Sequence, residues 1–129
     1  MKLYHFSNAD LDIIKVDNFG EHSYTCASVR VSAVKRTFFY LEPEPVEKIF
    51  FKNARFRYTV DVPDDKLYDC RADENGYFKQ FDVNTDEFYQ YLAKKYLGIV
   101  YYTATGWQCA CLFHDIVPAE KIERGNVHA

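Results

Sequence analysis

The stretch FRYTVDV, residues 56–62, decides the kind of element from which this chain is built. Its first, third, fifth and seventh residues are apolar or aromatic, and the three between them are polar. Successive side chains of a strand point to opposite faces, so this period of two predicts a strand with one buried face. Turn-forming residues follow directly, Pro63 first, and end the strand. A sheet with a covered face is therefore the centre of the predicted fold.

Further short strands are predicted on both sides of this segment. The alternating residues 2–6 predict a first strand, residues 67–70 a short extended piece, and residues 99–102 and 107–113 two more strands. Residues 116–122 predict a last edge strand. The best helix follows Thr85, which can cap it, and ends before Gly98. A second short helix is predicted over residues 28–40, broken by Pro43 and Pro45.

This order of elements predicts the fold class. Strands and short helices do not alternate as βαβ units, so we expect an α+β fold with an antiparallel-rich sheet. The 129 residues and 15.2 kDa suit one domain. We assign residues 1–122 to it and expect residues 123–129 to be a polar tail.

Composition and charge restrict the classes of partner. The net charge of −3 and the pI near 5.8 argue against a basic nucleic-acid surface spanning the domain. Local basic groups remain, and we interpret them as solvated faces. The 23 aromatic side chains raise the question whether they form only a core or also bind a flat ring. The basic groups are Arg30, Lys35 and Arg36, and Lys52, Arg55 and Arg57.

Cysteine and targeting signals predict the compartment. The four cysteines lack disulfide-framework or zinc-site spacing, and the histidines form no ligand pattern, so we expect no metal. The start of the chain turns polar at once, and no apolar run approaches the roughly 20 residues of a membrane span. We therefore expect a cytoplasmic protein with buried, reduced thiols and no membrane partner. The cysteines are Cys26, Cys70, Cys109 and Cys111.

Three segments together resemble ADP-ribosyltransferases of the diphtheria-toxin and poly(ADP-ribose) polymerase type. LYHFS, residues 3–7, resembles their first-strand motif, and FGEHSYT, residues 19–25, resembles their second. Residues 97–101, 107–113 and 116–122 resemble their closing strands. The length is similar to that of small phage-encoded members. The resemblance implies split antiparallel sheets with a few short helices, and NAD bound in the cleft between the sheets.

The resemblance also implies which residues contact NAD. His5 matches the first-strand histidine, and Tyr24 matches the tyrosine that stacks on nicotinamide, a cationic ring that an aromatic face attracts. A second aromatic residue of this clamp falls among Phe38, Phe39 and Tyr40, and which one serves stays open. The implied NAD-binding residues are His5, Phe6, Ser7, Tyr24, Thr25, Phe38 and Tyr40.

The family's acidic residue is the departure in this sequence. Leaving of nicotinamide creates an oxocarbenium-like ribose that a carboxylate stabilises. The strand that should carry the acid has none, and Gln108 is the nearest counterpart; with His5 it is the candidate catalytic residue. Asp115 and Glu120 follow too far along the chain and are expected to be solvated.

Three functions stay open at this point. The first is an enzyme that transfers ADP-ribose from NAD to a protein or nucleic-acid acceptor. The second is a catalytically inactive binding module of the same fold that sequesters a protein or nucleotide. The third is a nucleic-acid-associated protein whose aromatic residues stack on bases, and the acidic pI weighs against it.

Overall fold

The computed structural model describes residues 1–16, 34–81 and 85–124. The described residues form seven strands, three short α-helices and one turn of 3₁₀ helix, Asp64–Lys66. The strands and helices in chain order are β1 Lys2–Ser7, β2 Thr37–Tyr40, α1 Pro43–Ile49, β3 Phe56–Asp61, β4 Leu67–Asp69, α2 Tyr77–Gln80, α3 Asp86–Lys95, β5 Gly98–Tyr102, β6 Gln108–Leu112 and β7 Glu120–Glu123.

The seven strands form one hydrogen-bonded sheet in the order β4-β5-β6-β2-β1-β3-β7. Only β4 and β5 are parallel; the other five neighbouring pairs are antiparallel. The prediction of a mixed helix and strand fold around an antiparallel-rich sheet is confirmed. The predicted split into two sheets differs from this single connected sheet, although one junction in it is thin.

That thin junction lies between β1 and β2, and we call it the seam. Their pairing consists of a single residue pair, Tyr4 with Tyr40. By contrast, β1 pairs with β3 over six residues and β2 pairs with β6 over four. The seam therefore divides the sheet into a β4-β5-β6-β2 group and a β1-β3-β7 group that one backbone pairing joins.

Each face of the sheet carries its own buried side chains. Strand alternation places Leu3 and Tyr58 on one face and Phe6 on the other. We call these the Leu3 face and the Phe6 face. The largest buried cluster covers the Leu3 face, and α1 and α3 contribute Val46 and Leu92 to two clusters on the Phe6 face. Burial of both faces explains how a small domain uses so many aromatic residues.

The predicted helix over residues 28–40 is wrong for the part that the structure describes. Residues 37–40 are strand β2, because each of them pairs with β6, and their β-branched and aromatic side chains suit that pairing. Residues 28–33 lie outside the described residues.

The proline pair was also misinterpreted. Pro43 begins α1, since the first turn of a helix needs no N–H from the residue at that position. Val46 is then the buried contact of α1. At the other end of the chain, Glu123 is still part of β7 and Arg124 donates its backbone N–H to the Arg55 carbonyl, so the predicted tail begins later than residue 123.

The helix after Thr85 is confirmed as α3. The Thr85 hydroxyl accepts a hydrogen bond from the backbone N–H of Phe88, as an N-cap residue does. Gly98 does more than end the helix, because it is the first residue of β5. A Cβ at this position would lie 2.3 Å from the carbonyl oxygen of Cys111, so only glycine allows β5 and β6 to approach here.

Candidate functional site

His5 lies at the seam and forms a hydrogen bond across it. Its Nδ1 is 2.8 Å from the main-chain oxygen of Phe38 in β2. A carbonyl oxygen can only accept, so Nδ1 carries the proton and Nε2 of the neutral ring is an acceptor. The structure thus gives the predicted histidine a fixed orientation and one remaining hydrogen-bonding role.

The surroundings of His5 favour the neutral ring. The half-buried imidazole is tilted against Phe39 and Tyr58, with ring centroids 5.4 and 6.3 Å away. Burial lowers the pKa of His5 from its ordinary value of 6.5, and the hydrogen bond to Phe38 opposes this only in part. At neutral pH the ring is therefore uncharged, and Nε2 can accept a hydrogen bond from a hydroxyl.

Gln108 shares the Leu3 face with His5 but has a different hydrogen-bond partner. Tyr4 pairs with Tyr40, and Phe39 pairs with Ala110, so strand alternation places Gln108, at the start of β6, on the same face as His5. Its side-chain Oε1 accepts a hydrogen bond from a terminal nitrogen of Arg71. Because a guanidinium only donates, the amide nitrogen Nε2 points elsewhere and can itself only donate.

Arg71 joins Gln108 to a carboxylate that sequence reasoning missed. Its Nε and its second terminal nitrogen donate to the two oxygens of Asp69, and the nitrogen–oxygen distance is 2.9 Å in both bonds. This two-bond pair lowers the pKa of Asp69 and raises that of Arg71. In sequence Asp69 and Arg71 are only a D-x-R at the end of a short extended piece. The parallel pairing of β4 with β5 places them one strand away from β6, within reach of Gln108.

The two acids named from sequence lie elsewhere. Asp115 accepts a hydrogen bond from the backbone N–H of Val16, and Glu120 is the exposed first residue of edge strand β7. Neither interaction involves Gln108, so Asp69 is the carboxylate that the described structure connects to it.

The predicted clamp residues are divided between the two faces of the sheet. Tyr40 pairs with Tyr4 and lies on the Phe6 face, with its ring edge-on to Phe51 at 5.6 Å. Phe38 lies on the same face as Tyr40. Phe39 lies on the His5 face but is fully buried. Tyr24 and Thr25 lie outside the described residues.

Phe6 and Ser7 lie at a separate open cavity of about 380 Å³, at the end of β1. The Phe6 ring stacks on Phe51 with centroids 4.9 Å apart and planes 10° from parallel. Phe50 at the rim is exposed and meets Trp107 edge-on. This cavity adjoins the Phe6 face, so the structure places Phe6 apart from the His5 ring.

The described residues were also compared with the requirements of a metal site and a membrane span, and the chain with known proteins. Within residues 1–16, 34–81 and 85–124, His, Cys, Asp and Glu side chains form no group of three that could hold a metal ion. In those same ranges no helix has the length and apolar character to cross a membrane. No known protein family, curated protein or solved structure matches this chain.

The class that the described residues define is a small mixed α/β domain. Two of its polar groups lie on one sheet face: His5 at the seam, and Gln108 with Arg71 and Asp69 near the β4 edge.

Proposed function

We propose that this chain is an ADP-ribosyltransferase-like domain that binds NAD at the seam. The observation that carries the proposal is His5, whose ring bridges the two strand groups that one residue pair of β1 and β2 joins. The resemblance of residues 3–7 and 19–25 implies a cleft between two sheets with this histidine in it. We assign that cleft to the seam, where the pairing between the two strand groups is thinnest.

The protonation of His5 suits a ribose ligand. With Nδ1–H donated to Phe38, the neutral ring offers Nε2 as an acceptor. Each ribose of NAD carries hydroxyl groups that donate hydrogen bonds, and a hydroxyl donating to an imidazole nitrogen is an ordinary neutral hydrogen bond. The Nε2 atom of His5 at the seam can therefore accept a hydrogen bond from a ribose hydroxyl.

Of binding and transfer, the geometry supports binding without efficient transfer. An oxocarbenium-like ribose needs negative charge beside it. Gln108 is neutral, and the nearby Asp69 carboxylate is neutralised by its two-bond pair with Arg71. A guanidinium at this position also disfavours a developing positive charge. We therefore infer a module that holds NAD or a related nucleotide.

Transfer of ADP-ribose to a macromolecular acceptor is the second candidate. The observation that favours it is Asp69, whose side chain is 43% exposed beside the Arg71 guanidinium that Gln108 also contacts. A ligand that drew Arg71 away would release this carboxylate.

NAD binding is tested by isothermal titration calorimetry with the full chain. We expect His5→Ala to weaken NAD binding by about tenfold, the value of one well-placed hydrogen bond to a buried group. The matched control is His114→Ala, which removes an exposed histidine and should leave the affinity unchanged. Failure of the unmodified protein to bind NAD, or equal affinity in His5→Ala, contradicts the proposal.

The absence of efficient transfer is tested by nicotinamide release from NAD, with and without cell lysate as a source of acceptors. We expect no release above background from the unmodified protein. Gln108→Glu alone should stay inactive because its carboxylate would pair with Arg71, whereas Gln108→Glu combined with Arg71→Gln should release nicotinamide. Release by the unmodified protein would instead support the transferase.

A further inference from the structure

At the β4 edge of the Leu3 face, several N–H groups have no acceptor among the described residues. Arg71 has five N–H groups. Three of them bond Asp69 and Gln108, which leaves one on each terminal nitrogen with no partner among the described residues. The Arg71 side chain is 22% exposed, so solvent reaches part of it.

Gln108 adds donors at the same place. Its Oε1 is occupied by Arg71, and its Nε2 has no partner within the described part of the chain. Tyr102, opposite Gln108 in the β5–β6 register and 57% exposed, adds a phenol that can also donate. Because this group is rich in donors, it favours a ligand with several acceptor oxygens, as a phosphate has.

We propose that Arg71 and Gln108 form a binding site for a phosphate-type oxyanion. A guanidinium donates strong charge-assisted hydrogen bonds to phosphate oxygens, and one N–H on each terminal nitrogen is left for them. The two hydrogen bonds to Asp69 hold the plane of the Arg71 guanidinium, so the arginine is oriented before a ligand arrives. The inference deepens the proposed function and rests on it only in naming the pyrophosphate of NAD as the natural oxyanion.

Asp69 also sets the strength of the site. The Asp69–Arg71 pair has no net charge. The affinity for an anion therefore comes from the hydrogen bonds that the Arg71 N–H groups donate and from the positive charge of the guanidinium, which lies closer to the anion than the Asp69 carboxylate does. Replacing Asp69 by Asn keeps an oxygen that can accept from Arg71 and removes the opposing charge. The site then becomes net positive, and its affinity for an anion should rise. A purely structural ion pair would not give this increase.

The test is calorimetry at low ionic strength with inorganic pyrophosphate and, separately, ADP. We expect Arg71→Gln to weaken both about tenfold, the scale of one lost charge-assisted hydrogen bond. Gln108→Leu should weaken them severalfold, and Asp69→Asn should strengthen them severalfold. The matched control is Arg55→Gln, which removes the same charge from an exposed ion pair with Glu123 at the opposite edge of the sheet.

Unchanged affinity in Arg71→Gln overturns the inference, and so does an equal loss in Arg55→Gln or weaker binding in Asp69→Asn. Thermal unfolding of each variant checks that it is folded. If Arg71→Gln does not fold, the affinity of Asp69→Asn decides the test. Binding of pyrophosphate without binding of NAD would keep this site and contradict the proposed function. NAD binding that depends on His5 but is unchanged by Arg71→Gln would support the proposed function and contradict the oxyanion site.

Discussion

The Nδ1 atom of His5 lies 2.8 Å from the main-chain oxygen of Phe38, so a side chain bridges the two strand groups where their backbone pairing is thinnest. One hydrogen bond thereby fixes the tautomer of the ring, the direction of its free lone pair and the spacing of β1 from β2. The same bond that helps to close the sheet prepares the acceptor that we assign to NAD.

The first prediction concerns pH. Because burial holds the pKa of His5 below 6.5, the folded chain takes up a proton there less readily than the unfolded chain. The neutral His5 ring therefore contributes in full to the free energy of unfolding above pH 6.5, and this contribution is lost as the pH falls from 6.5 toward the folded-state pKa of His5. NAD affinity should fall over the lower part of the same range, because protonated Nε2 cannot accept.

The control for this prediction is His5→Asn, whose amide can still donate to the Phe38 carbonyl but does not titrate. Urea unfolding and NAD titration between about pH 7.5 and 4.5 bracket the histidine range. The variant should lose less stability on acidification, and its weaker NAD binding should not vary with the pH. Parallel pH profiles of the two proteins would contradict the assignment.

The second prediction concerns Gly98. Alanine here places a Cβ 2.3 Å from the Cys111 oxygen and 2.6 Å from the Leu112 side chain, so β5 must move away from β6. We expect Gly98→Ala to lower the free energy of unfolding by about 1–3 kcal/mol, as overpacking does. The matched control is Gly76→Asn, because Gly76 has a φ of 66° that asparagine tolerates and open space around it. Equal unfolding midpoints for the two variants would refute the steric argument.

The third prediction concerns the hydroxyl of Tyr58. This fully buried hydroxyl donates to the Ala9 carbonyl and accepts from the Leu11 N–H, with a donor–acceptor distance of 2.7 Å in both bonds. The two bonds hold the segment after β1 against β3. Tyr58→Phe leaves both backbone groups without this partner and should cost about 1–3 kcal/mol. Tyr102→Phe removes an exposed hydroxyl and should change stability by less than about 0.5 kcal/mol. Denaturant unfolding measures both.

The fourth prediction concerns the thiols. Cys70, Cys109 and Cys111 are buried, and burial raises the pKa of Cys70 to about 12. In a Cys26→Ser background, a thiol reagent at pH 8 should therefore react with the native protein only as fast as it unfolds, and with all three thiols in denaturant. A thiol that reacts at once in the native protein would show that one of these sites is accessible.

Local sequence signals predicted the elements whose periodicity matches their burial. The alternation of residues 56–62 gave β3 because one face of that strand is covered, and Thr85 predicted the start of α3 because its cap is a local bond. Residues 37–40 were misassigned because TFFY is compatible with either element in isolation. Their pairing with β6, far along the chain, makes them a strand.

The candidate site shows the same limit. From sequence, His5 and Gln108 are identified only by resemblance, and Asp69 and Arg71 carry no signal. Their connection to Gln108 exists because β4 pairs in parallel with β5, and β5 with β6. No local pattern encodes such a pairing between segments about thirty residues apart, since it depends on which strands meet on collapse.

The sequence by itself determined that this chain folds as a small mixed domain with an antiparallel-rich sheet, because alternation, capping and turn residues act over a few neighbours. Only the tertiary structure decided which polar groups meet. It set His5 at the seam, neutral and bonded to Phe38, and it placed an arginine and its carboxylate where sequence showed only Gln108. The reason is physical: hydrogen-bond partners and desolvation are properties of assembled strands, and they fix charge and tautomer only after the sheet has formed.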